Sequence, residues 1–127
     1  MNRETIRQAV SQLDVLKKAA DDEALSAAAE NLAIQLFWVG RGGPMNSLQR
    51  KSFPPPVPED YEPPELEDAF DKFKKAATSK KGAVYESDIF KCLGDYATCC
   101  KEHRRAICIA VATICIASHL IPFVKGT

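Results

Sequence analysis

Surplus charge is the first thing this chain lacks: its 17 lysines and arginines are matched by 17 aspartates and glutamates across 127 residues. No global field steers it toward nucleic acid or acidic ligands, so neither nucleic acid nor a small-molecule substrate is expected as a partner. A secretory signal is missing as well, because Ile6 to Leu16 mixes apolar and polar groups instead of forming an unbroken apolar region. Arg3 and Arg7 beside Ile6, Val10 and Leu13 faintly suggest a mitochondrial presequence, but Glu4 and Asp14 count against one. No serine, histidine and acid arrangement accompanies a strand-turn-helix context, and the glycines of Gly40 to Gly43 lack the lysine and spacing of a phosphate loop. The acidic pairs Asp21-Asp22 and Glu59-Asp60 fall in a helix cap and a proline-rich stretch, not where an acid and a base would be held at fixed separation. These absences predict a protein that is not an enzyme and holds no cofactor.

What the sequence does contain is helix. Residues 2–19 place Ile6, Val10, Leu13 and Leu16 at three-to-four spacing, the mark of an amphipathic helix. Asp21 or Asp22 can cap a second helix, and the alanine-rich stretch from Glu23 to Val39 favours one strongly. Residues 1–39 therefore predict a helical hairpin. Between Gly40 and Pro64 stand three glycines and seven prolines, Pro54-Pro55-Pro56 and Pro63-Pro64 among them, which no helix or central strand survives. Residues 40–64 are expected to form an extended arm with Phe53 and Tyr61 as apolar anchors. Glu65 to Ala77 returns to helix, with Leu66, Ala69, Phe70 and Phe73 on one face. A further helix is expected from near Ser87, capped by Ser87 or Asp88, through Tyr96 and Cys99, either continuing onward or bending near Lys101.

From Ala106 to Val124 nineteen residues pass without a formal charge, interrupted only by Thr113, Ser118 and His119 as polar groups. That is close to the ~20 residues needed to cross a bilayer, and the segment is expected to be a transmembrane helix. Lys101, Arg104 and Arg105 form a basic neck before it and only Lys125 follows, which favours the N-terminal part on the cytoplasmic or matrix side. Residues 65–105 are then a helical pair and neck, and residues 106–124 a single-pass anchor.

The five cysteines all fall in the last third, an odd set for which a secreted disulfide framework is not expected. Cys92, Cys99 and His103 share a stripe, but Cys92 and Cys99 would stand about 10 Å apart along a helix, too far for one zinc ion. With Ile89 and Tyr96 on the same stripe, a packing face is the simpler reading. A bond between Cys99 and its neighbour Cys100 would strain the backbone; an intermolecular or hairpin disulfide is less demanding. Cys108, Ala112 and Cys115 line one side of the apolar run and are expected to pack against other membrane helices. His119 reads as interfacial, one turn from Pro122 at the far membrane edge. An EF-hand-like spacing around Gly82 fails as a calcium loop, because Ala77, Ser79 and Lys81 occupy the principal ligand positions. No metal site is expected.

In layout, one apolar helix, an extended arm and no catalytic pattern, the chain resembles the small accessory subunits of energy-transducing membrane complexes. That resemblance implies a non-catalytic assembly subunit of a respiratory-type complex, with other subunits and the lipid bilayer as partners and the mitochondrial inner membrane as location. The rival expectation is a soluble all-α interaction module, a four- or five-helix bundle in which residues 106–124 form the buried central helix.

Overall fold

The computed structural model describes residues 2–41, 62–78, 86–101 and 104–125. These form an all-α structure of five helices: α1 (Asn2–Ala19), α2 (Glu23–Arg41), α3 (Leu66–Thr78), α4 (Glu86–Cys99) and α5 (Arg105–Lys125). The expected arm anchors Phe53 and Tyr61, the expected Ser87 and Asp88 cap, and the loop around Gly82 lie outside the described side chains.

Local chemistry explains where the helices begin and end. Asp22 accepts a hydrogen bond on Oδ1 from the Ala24 amide at 2.9 Å, while its carbonyl accepts from the Ser26 amide at 2.9 Å, so it is the residue that caps α2. Ser26 Oγ donates to the Lys17 carbonyl at 3.2 Å, and Lys17 Nζ meets Glu30 Oε2 at 3.3 Å; both bonds tie the end of α1 to the start of α2. At α3 the acidic residues Glu67 and Asp68 occupy the first turn and Lys75 the last, each at the end of the helix dipole that favours its charge. Beyond Cys99 the chain bends, with the Lys101 amide donating to the Thr98 carbonyl at 3.2 Å and the Cys108 amide donating to the Arg104 carbonyl at 3.1 Å as α5 starts. The alternative left open by the sequence is thus resolved: α4 stops and α5 runs back beside it.

Packing centres on α5. Helix α1 lies against α2 on one side and α5 on the other, α3 rests chiefly on α2, and α4 lies along α5. Ile6, Ala9, Leu13 and Leu16 of α1, Leu25, Ala29, Leu32 and Leu36 of α2, Phe70 and Phe73 of α3, and Ile109, Ile116 and Leu120 of α5 belong to one contiguous core. Alanines at positions 9, 29, 33, 106, 110 and 112 stand among these larger groups and permit close helix approach. Among the described side chains of α5 the exposed large apolar one is Val111, and half of the 18-residue window Arg105–Pro122 is buried inside the protein. By length and composition that window is one candidate for a membrane span.

One core group is out of keeping with its surroundings. The Thr113 hydroxyl is fully buried in α5 with no hydrogen-bond partner among the described residues. An unsatisfied buried hydroxyl costs on the order of 1–3 kcal/mol, and valine has the same shape without it. Thr113→Val is therefore expected to raise the unfolding free energy by about 1 kcal/mol, read as a higher urea midpoint with unchanged slope. Leu13→Ala, which empties a fully buried site, is expected to lower it by about 2–5 kcal/mol in the same assay.

Candidate functional site

The densest chemistry lies along the seam between α4 and α5. Each helix carries two cysteines seven positions apart, two helical turns, so both sulfurs of a pair leave the same face. Because the helices are antiparallel, the pairs join in nested order: Cys99 with Cys108, and Cys92 with Cys115. The Cα atoms stand 5.7 and 5.9 Å apart, within the usual range for disulfides. The expectation of packing cysteines without a disulfide framework is overturned. Four of the five are cross-linked within the chain, and Cys100 is left as an exposed thiol.

This pairing also relocates the stripe that had been expected to meet other membrane helices. Cys108 is buried and Cys115 half-buried, both bonded to α4; Ala112 lies between them on the same face and is only 2% exposed. Helix α4 of the same chain occupies that side of α5. The basic neck is likewise part of the turn: Lys101 is exposed, Arg104 half-buried, and Arg105 exposed at the head of α5. Arg105 Nη1 donates to Glu67 Oε1 at 3.3 Å and stands 3.8 Å from Glu62 Oε2, which ties the start of α5 to the start of α3. Such exposed pairs contribute at most about 1 kcal/mol and serve mainly to orient the elements.

A second bridge to α3 runs through Tyr96. Its ring lies against Phe70 with centroids 5.1 Å apart at 55°, and Lys74 Nζ sits 4.8 Å from the Phe70 centroid and 5.9 Å from that of Tyr96. Burial, then a hydrogen bond with the Cys100 thiol, holds the Tyr96 hydroxyl well above the ordinary tyrosine value of 10.0. Negative charge at Cys100 and Glu67 adds to the rise and Arg105 opposes it.

One further side chain joins the seam. His119 is one turn beyond Cys115 on α5, and its ring nitrogen and the sulfurs of Cys92 and Cys115 all lie within 4.8 Å of one another. The sequence pointed to His103 as companion of the cysteines; His103 is outside the described residues, and the histidine brought to the pair is His119. The signal that could have found the seam was present in the spacing, since Cys92 and Cys99 are mirrored by Cys108 and Cys115 about a short turn. No protein-family model, curated protein or solved structure matches the chain.

Two outcomes follow from this geometry. Replacing Cys92 and Cys115 together by serine removes the staple that closes the longer loop, of sequence separation 23, and is expected to cost about 3 kcal/mol, a melting temperature lower by roughly 10 °C. For Tyr96, the folded value above the unfolded one means that the native state holds this proton more tightly. Its contribution to stability is complete below about pH 10 and is lost as pH rises beyond it. Urea unfolding of the Tyr96→Phe variant should therefore show a shallower alkaline decline than the parent chain.

Proposed function

We propose that this chain is a non-catalytic, disulfide-braced helical module that acts in protein assembly, with α5 as its core helix. The observation that carries the reading is that α5 packs against α1 and the covalently stapled α4, with half of its apolar window buried inside the chain. A predominantly apolar helix is stable in water when neighbours cover most of its apolar surface, and the neighbours that cover half of this one come from the same chain. The two disulfides favour a compartment that keeps thiols oxidised.

The competing reading of α5 as a single-pass anchor is supported by its length and apolar composition. It carries a physical cost. The Cys92–Cys115 bond holds α4 beside the middle of α5, so the exposed Lys91 and Asp95 of α4 would enter the hydrocarbon with it. Each such charge costs on the order of 2.5–3.5 kcal/mol near the bilayer centre. Membership of a larger complex, including a respiratory-type complex at the mitochondrial inner membrane, fits an α5 stapled to the charged α4 best when the module docks peripherally. The proline-dense stretch between α2 and α3, with Phe53 and Tyr61, is by composition the part of the sequence suited to a partner's surface.

Alkaline extraction of membranes without detergent tests the placement, the expected outcome being release of the chain into the soluble fraction with both disulfides intact. Retention in the pellet until detergent is added would overturn it in favour of the anchor. Native separation after gentle extraction tests the assembly role: the chain is expected to migrate with a larger species, and migration as a free 14.0 kDa monomer would remove that role.

A further inference from the structure

The two sulfurs that form the outer staple, together with a ring nitrogen of His119, have the atom types and the spacing of a metal-ligand set. Cys115 and His119 leave the same face of α5 one turn apart, while Cys92 reaches them from α4; the three ligand atoms lie within 4.8 Å of one another. Tetrahedral zinc with Zn–S near 2.3 Å and Zn–N near 2.0–2.1 Å places its donors about 3.5–3.8 Å apart. Once the sulfur–sulfur bond is broken, the two sulfurs need only separate by a rotation of side chains whose backbones are already fixed, with Cα atoms 5.9 Å apart. Cys92 is buried, whereas Cys115 and His119 are half-buried, so a fourth coordination position can be filled from solvent.

The geometry points to a redox-exchangeable metal site, in which reduced Cys92 and Cys115 and the imidazole of His119 bind one Zn2+ at the position the disulfide otherwise occupies. Two thiolates and an imidazole are a soft, nitrogen-containing set suited to this ion. The exchange balances. A dithiol reductant gives two electrons and two protons to the Cys92–Cys115 bond and becomes a disulfide itself. Zinc then displaces the two thiol protons into solvent as it binds. In the reverse direction a disulfide oxidant takes two electrons from the thiolates, is reduced to two thiols with protons from solvent, and the metal leaves as Zn2+. Either linkage clamps α4 to α5 at the same level, so the hairpin remains closed in both redox states. This inference rests on the seam alone and is independent of the assembly role.

The test uses the full chain carrying Cys99→Ser, Cys100→Ser and Cys108→Ser, which leaves Cys92 and Cys115 as its cysteines. Reduced with a phosphine and titrated with Co2+, it is expected to bind one ion per chain with tetrahedral visible bands and charge-transfer absorption from two thiolates. Zn2+ should displace the cobalt, and a disulfide oxidant should release the zinc. Adding His119→Ala should weaken binding at least about tenfold, and His119→Cys should restore it, with helicity monitored by circular dichroism throughout. Absence of saturable binding, equal affinity with and without His119, or loss of helix on reduction even with zinc present would each overturn the proposal.

Discussion

The antiparallel pairing of α4 with α5 is the constraint on which the remaining structure depends. Two nested disulfides fix both the direction and the register of this pair, because cysteines two turns apart on each helix can meet in only one antiparallel alignment. That register brings Tyr96 toward Phe70 and sets Arg105 beside Glu67, so α3 is positioned from the turn end of the hairpin. It also leaves the other side of α5 for α1, and α1 in turn carries α2. A chain this short has little interior to share among five helices, and cross-links compensate for what the core does not supply.

The composition of α5 follows from its position. A helix that faces α1 on one side and α4 on another has half of its apolar window Arg105–Pro122 sealed from solvent, and no charge is tolerated on that half. The exposed Val111, Ser118 and Pro122 and the half-buried Ile107, Ile114 and Ile121 line one side of α5, while Ile109, Ile116 and Leu120 are sealed in the core. Burial within the chain accounts for the apolar residues on the sealed face of α5. Lipid and a protein interior impose nearly the same demand on a side chain, which is why length and hydropathy alone do not separate them.

The helical segments were legible in the sequence because their signals are local. Ile6, Leu13 and Leu16 repeat at helical spacing, Asp22 caps α2 as its position implied, and Leu66, Ala69, Phe70 and Phe73 form the buried face of α3 as their spacing predicts. The seam was not read, although its residues were noticed. Cys92 and Cys99 form a stripe by themselves, as do Cys108 and Cys115, and a stripe of small polarizable groups says only that something packs there. Identifying the occupant requires the direction of the following helix, a tertiary property set by the bend after Cys99. Once that turn is known, the mirrored spacing leaves little choice. The same holds for His119: along the helix its spacing shows only nearness to Pro122, whereas across the hairpin it lies one turn from a cross-linked sulfur.

The two sides of α5 are thus held by different physics. Helix α4 is attached covalently, so its departure requires chemical reduction as well as separation of the packed surfaces. Helix α1 is attached by the burial of Ile6, Ala9, Leu13 and Leu16, reinforced through α2 by the Lys17–Glu30 pair and the Ser26–Lys17 hydrogen bond, all of which open and close reversibly. Any fluctuation that uncovers the apolar helix in the oxidised protein must consequently begin on the α1 side. The face of α5 that such an opening presents is the one opposite the cysteines, and the charged side chains of α4 travel with it. The staple determines which surface of the core the protein can ever show.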